Sequence, residues 1–126
     1  MVKATINKEH YACSVTNGSH EIVVDEPIGL GGTHMGFAPK GLLMASLASC
    51  VAITLRMYAD RKKWPVEKIE VKVNVDTENG ELVFFEEIIC TGELTDEQKS
   101  RLEDIASKCP VSKILTVGHE VRSKVL

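Results

Sequence analysis

The chain has no excess of positive charge. Its 126 residues hold 15 Lys and Arg against 18 Asp and Glu, a net charge of −3. Surfaces that grip nucleic acid are basic, so no nucleic-acid partner is expected. The one basic cluster, Arg61-Lys62-Lys63, is short and reads as a helix end. The four cysteines, Cys13, Cys50, Cys90 and Cys109, form no C-x-x-C pair. A zinc site therefore has no support, and no metal or cofactor is expected. The N-terminus, MVKATINKEH, lacks an apolar leader core, which points to the cytoplasm. In a reducing cytosol the cysteines are not a structural disulfide framework. The longest uncharged run, Gly41 to Leu55, falls short of the roughly 18–20 residues of a membrane span. It reads as a core helix, with no membrane partner.

That run, GLLMASLASCVAITL, dominates what is present. Pro39 suits a first helical turn, where its missing N–H costs nothing. Arg56, Arg61, Lys62 and Lys63 favour a helix C-terminus, and Pro65 marks the stop. The spacing predicts one helix from Pro39 to about Lys62, near 36 Å long at roughly 1.5 Å per residue. Leu42, Leu43, Leu47, Val51, Ile53 and Leu55 cover most of its circumference, so burial all round is expected. Ala45, Ala48 and Ala52, with Ser46 and Ser49 beside them, form a small stripe for close approach of a second helix.

Around this helix the signals alternate between turns and strands. Residues 2–7, 11–16 and 20–24 read as three short strands, the last two joined by Asn17-Gly18, a type I′ hairpin signal. A Gly-rich loop runs from Ile28 to Ala38. It is no dinucleotide fingerprint, because His34 stands where the third glycine belongs and the βαβ context is missing. The loop leads to the helix start and is expected to border any site, with His34, Met35 and Phe37 as possible pocket residues. Ile69, Val71, Val73 and Val75 alternate with polar residues as a strand with one wet face. Asn79-Gly80 turns it back into a partner strand, with Leu82, Phe84, Ile88 and Cys90 inward and a bulge expected at Glu86-Glu87. Thr95 and Gln98 frame a capping box. The helix they open has a Leu102, Ile105, Ala106 stripe, the candidate partner for the small stripe. Pro110 opens a last short helix, which makes Cys109 its N-cap. His119 to Val125 alternates as a closing strand. The order βββ-α-ββ-α-α-β indicates one α+β domain over residues 1–126, with antiparallel β-sheets around a long buried central helix. So apolar a helix in a chain of this length suggests a homodimer.

Two cysteines stand apart. Cys50 and Cys109 lie on or at helices that are expected to meet. A thiolate that attacks a peroxide, with a second thiol to resolve the sulfenic acid, is the minimal machinery of a thiol peroxidase. Cys50 also reads as a packing residue of an apolar helix. At an N-cap, Cys109 meets the helix dipole and free backbone N–H groups, which favour its thiolate.

The chain resembles the OsmC/Ohr family (osmotically induced protein C and organic hydroperoxide resistance proteins). The resemblance rests on Asp25-Glu26-Pro27, on Gly31-Gly32, Gly36 and Pro39, on Leu42 to Cys50, and on Cys109-Pro110-Val111-Ser112-Lys113. It implies an intertwined OsmC-like homodimer with its two sites at the subunit interface. It also implies reduction of organic hydroperoxides, with Cys50 as peroxidatic thiolate and Cys109 as resolving thiol. The reductant it implies is a dithiol such as a lipoylated protein. Two positions depart from the family pattern. Lys40 stands where a glutamate usually follows the helix-opening proline, and no arginine precedes Arg56. Lys40, Lys8 and His10 are the possible substitutes. The alternative is an OsmC-fold small-molecule binding module without peroxidase activity.

Overall fold

The computed structural model describes all residues from Met1 to Leu126. The chain divides into two compact units, Met1–Ala45 and Ser46–Leu126. The long helix α1 (Pro39–Lys62) begins in the first and continues through the second.

The N-terminal unit holds an antiparallel sheet of β1 (Lys3–Ile6), β2 (Cys13–Thr16) and β3 (Glu21–Val24) in that order. Lys3 pairs with Thr16, and Cys13 with Val24. The turn between β2 and β3 is not the two-residue type I′ that Asn17-Gly18 signals. It spans 17–20, and of that pair only Gly18 has a positive φ, 96°. The Asn17 side chain explains the difference. Its Oδ1 accepts from the N–H of Ser19 at 3.0 Å and of His20 at 2.8 Å, and this local bonding builds a wider turn. After β3, the carboxylate of Asp25 is 2 % exposed and organises the Gly-rich loop. Oδ1 accepts from Glu26 N at 2.8 Å. Oδ2 accepts from the Thr33 hydroxyl at 2.6 Å, Thr33 N at 3.2 Å and Met35 N at 3.1 Å. The Thr33 hydroxyl above all, against the opposing cost of burial, holds the Asp25 pKa down at about 2. Gly32 is required here, because a Cβ on it would sit 2.0 Å from the Glu26 carbonyl oxygen. Phe37 then bridges Val24 in parallel and delivers the chain to Pro39.

The C-terminal unit is built on the remainder of α1. Strands β4 (Lys68–Glu78) and β5 (Glu81–Thr91) pair antiparallel along their whole length. Asn79 and Gly80 close them with φ of 52° and 81°, as a type I′ turn requires. The expected bulge at Glu86-Glu87 is not formed. Glu86 pairs with Val73 and Glu87 with Lys72 without interruption. The alternation survives because Glu87 points to water, 3.7 Å from the Lys72 ammonium, while Glu86 takes an inward position beside Phe84, Ile88 and Cys90. Leu82, on the same face near the turn, is exposed.

Helix α2 (Asp96–Ala106) starts at the expected capping box. Thr95 Oγ1 accepts from Gln98 N at 3.1 Å, and Gln98 Oε1 accepts from Thr95 N at 2.9 Å. Helix α3 (Pro110–Leu115) follows with Cys109 as N-cap. The core joins Leu47, Val51, Leu55, Tyr58 and Ala59 of α1 to Val66, Leu102, Ala106 and Cys109. These five α1 positions lie on one face at helical spacing. Burial all round does not hold for the single chain: Ile53 and Met57 are exposed. Nor does α2 dock on the small stripe. It joins the Leu47–Tyr58 face, and Arg101 Nε donates to the Tyr58 hydroxyl at 3.1 Å. Large apolar side chains bury more area per contact than alanines do.

The C-terminus of α1 ends without glycine. Lys63 takes φ 55°, Lys63 N donates to Asp60 O at 3.0 Å, and Trp64 N donates to Ala59 O at 2.9 Å. This is the Schellman arrangement, with a lysine where glycine is usual. By length and composition alone Pro39–Lys62 is long and apolar enough to cross a membrane, contrary to the reading from its uncharged run. Its buried face is instead built into the core described above. The closing strand expected over His119 to Val125 is absent. A strand needs an edge to pair with, and this segment bonds locally. His119 Nε2 lies 2.8 Å from Ile114 O, and Arg122 donates twice to Glu120.

Candidate active site

Helix α1 carries Cys50 on the turn after Leu47, at the margin of the core. The α2–α3 junction brings in Cys109. Cys109 is fully buried, at 0 % exposure, whereas Cys50 is half-buried. Both thiols are free, and the Cys50 side chain is near enough to Cys109 to bear on its titration. Cys50 packs against the core cluster to which Cys109 belongs.

The N-cap geometry of Cys109 also holds, but its electrostatic consequence does not. Its Sγ accepts from Ser112 N at 3.2 Å, the offset a capping side chain uses. That bond and one from Val111 N–H favour the thiolate. Burial is the larger effect and pushes the thiol pKa above its ordinary value. The neighbouring Cys50 side chain raises it further. Desolvation of an anion outweighs one or two backbone dipoles in an apolar surround. Cys109 is therefore a thiol that holds its proton more firmly than a free cysteine does.

The other two cysteines are apart from this arrangement. Cys13 lies in β2 of the N-terminal unit. Cys90, on β5, is half-buried at the edge of the core. Burial raises its pKa, and the nearby Arg56 guanidinium opposes that. Arg56 is itself held by the carbonyl oxygens of Val66 at 2.7 Å and Glu67 at 3.2 Å.

Lys8, His10, His34, Met35, Phe37 and Lys40 all belong to the N-terminal unit. Each is exposed, Met35 and Phe37 at 68 % and 61 %. His10 stacks on Tyr11 with ring centroids 4.7 Å apart. His34 takes a positive φ of 54° in the loop held by Asp25. Within the C-terminal unit, sequence reasoning gave no role to Ser112 or Glu86. Ser112 was legible as the residue three past an N-cap. Both line a cleft of about 540 Å³ with Leu47, Phe84 and Leu115. Glu86 is partly desolvated there, and burial raises its pKa. No group of three His, Cys, Asp or Glu side chains is placed to hold a metal ion.

The model of the OsmC-like protein family matches residues 31–124. Among solved structures, the fold is similar to that of the OsmC-like protein from Mycoplasma pneumoniae, at TM-score 0.78 and 19% identity, covering 92% of this chain and 86% of that one. It is similar to the organic hydroperoxide resistance protein from Elizabethkingia anophelis, at TM-score 0.62 and 25% identity over 90% and 84%. The organic hydroperoxide resistance protein OhrB of Bacillus subtilis follows at TM-score 0.59 and 21% identity over 90% and 87%. No curated protein sequence matches the chain.

Proposed function

Because the chain belongs to the OsmC-like protein family, we propose that it is a thiol-dependent reductase of organic hydroperoxides. The observation that carries this reading is the pair of free thiols at one edge of the core, Cys50 packed against the cluster that buries Cys109. In the proposed cycle the Cys50 thiolate attacks the outer peroxide oxygen. The O–O bond breaks, the alcohol leaves, and Cys50 becomes a sulfenic acid. Cys109 condenses with it, releasing water and forming a disulfide. A dithiol of the lipoyl class returns the pair to the reduced state. Both side chains belong to one packed region, so the bond of about 2.05 Å is proposed to need only local movement. The apolar surround of Cys50 favours an organic peroxide over hydrogen peroxide. Two relatives of the same fold bear the name organic hydroperoxide resistance protein. The cytoplasm is the compartment that keeps such thiols reduced.

The exposed Leu43, Ile53 and Met57 on α1 support a homodimer that covers this face with a second copy. A second reading, a small-molecule binding module, is favoured by one observation. Lys40 and the absence of any arginine before Arg56 leave the family's usual charged pair unfilled.

The test is stoichiometric. Reduced protein is treated with one equivalent of cumene hydroperoxide, quenched, digested and mapped by mass spectrometry. A Cys50–Cys109 disulfide that forms rapidly and disappears with dihydrolipoamide is the expected outcome. If both thiols stay reduced, or oxidise only as slowly as Cys13 and Cys90, the reductase reading fails and binding takes its place.

A further inference from the structure

The two sulfurs of the pair are unequal in a way that fixes the direction of reductive chemistry. A thiolate that opens a disulfide approaches the attacked sulfur in line, from behind the bond that breaks. Cys109 is 0 % exposed and belongs to the same core cluster as Leu47, Val51, Leu102 and Ala106. No path of that kind reaches it from solvent. Cys50 lies at the edge of the same cluster and is partly exposed. We infer that the external reductant attacks Cys50, and that Cys109 is always the leaving sulfur.

This rests on the thiol-pair reading above. In the first step the reductant thiolate bonds to Cys50 Sγ. The Cys50–Cys109 bond breaks, and its electron pair goes to Cys109. The second thiol of the dithiol then attacks the reductant sulfur of the mixed disulfide. That step frees Cys50 as a thiolate and leaves the reductant oxidised as its own disulfide. One consideration opposes this direction, since burial makes Cys109 more basic than an ordinary thiol and so a slow leaving group. Access outweighs it, because a sulfur with no approach path does not react however good its partner is as a leaving group. The Ser112 N–H, 3.2 Å from Cys109 Sγ, receives part of the charge that arrives there. Cys50 thus serves twice, as nucleophile toward peroxide and as electrophile toward reductant. Cys109 exchanges only with Cys50 and never meets a small molecule directly.

The experiment forms the disulfide with diamide, so that it does not depend on peroxide chemistry. The oxidised protein is exposed briefly to 2-mercaptoethanol and quenched in acid. It is then unfolded in the presence of N-ethylmaleimide, digested and mapped. The mercaptoethanol adduct is expected on Cys50 in excess of Cys109 by roughly tenfold or more. Repeating the exchange in urea, where both sulfurs are open, is expected to bring the ratio close to one. An adduct mainly on Cys109, equal adducts in the folded protein, or a bias that persists in urea would each overturn the inference. So would failure of diamide to join the two sulfurs. If diamide forms the bond and cumene hydroperoxide does not, the reductase reading alone falls, and the adduct ratio still decides the direction of attack.

Discussion

Leu55 and Ile53 lie two residues apart on α1 and carry side chains of equal size, yet Leu55 is 0 % exposed and Ile53 is 59 % exposed. Replacing each by alanine isolates burial from chemistry. Leu55→Ala removes three fully buried carbons, worth about 2.4 kcal/mol at roughly 0.8 kcal/mol each. The cavity left beside Val51 and Ala59 adds to this, so the total belongs in the range of about 3–5 kcal/mol. Ile53→Ala removes the same number of carbons, of which less than half the surface is buried. The loss is about 1 kcal/mol, partly offset by the higher helix propensity of alanine, a few tenths of a kcal/mol. For a chain of this size each kcal/mol moves Tm by roughly 3–5 °C, so the variants should melt about 9–25 °C and no more than about 4 °C below the parent. Calorimetry across a hundredfold range of protein concentration checks both numbers. If the proposed dimer covers Ile53, the cost of Ile53→Ala becomes concentration-dependent, whereas the cost of Leu55→Ala remains large throughout. Equal losses for the two variants at every concentration would refute the assignment of the buried face.

Two further predictions concern carboxylates shifted in opposite directions. The Asp25 pKa is lowered from 3.8 to about 2, first by the Thr33 hydroxyl, so its contribution is full above its unfolded pKa and is lost as pH falls through about 2. Asp25→Asn should be less stable than the parent at pH 7, and the gap in urea midpoint should narrow between about pH 4 and pH 2. A gap that does not change with pH would show that the charge is not what holds the loop. Glu86 is shifted upward by burial, so its ionisation opposes folding. The penalty is absent below its unfolded pKa and grows as pH rises through the folded one. Glu86→Gln should therefore unfold at a higher urea concentration than the parent at pH 7 and show no advantage near pH 3. A lower midpoint at pH 7 would mean that the carboxylate has a stabilising partner.

What was legible in the sequence is what is encoded locally. The ends of α1 follow from Pro39 and from the basic run before Pro65. The Thr95–Gln98 capping box and the Asn79-Gly80 turn each need only a few adjacent residues. The alternation of Ile69 to Val75 shows which face of β4 is inward. The failures arise where another group, near or distant, competes with a local signal. Asn17-Gly18 carries the same turn signal as Asn79-Gly80, but the Asn17 side chain bonds ahead to Ser19 and His20. Glu86 looked like a break in the pattern, yet the register with β4 holds it in line. His119 to Val125 alternates as a strand does, but no strand edge pairs with it. The exposed side of α1 was missed because its composition is apolar on every face. Composition does not say which face the rest of one chain covers.

Cys109 joins the local and the distant effects in one residue. Its place before Pro110 was readable, and so was the N–H that meets its sulfur. Its burial was not, because that depends on Leu102, Ala106 and the Leu47–Val51 face of α1 closing over it. The result is a thiol that keeps its proton. For the proposed condensation this is an advantage as well as a cost. A sulfenic acid on Cys50 loses its oxygen as water, so the departing hydroxide needs one proton. A thiolate at Cys109 would attack faster but bring none. A neutral thiol beside Cys50 brings nucleophile and proton together, so the condensation needs no outside proton donor. The same burial that slows Cys109 toward outside reagents thus suits it to the one internal partner beside it.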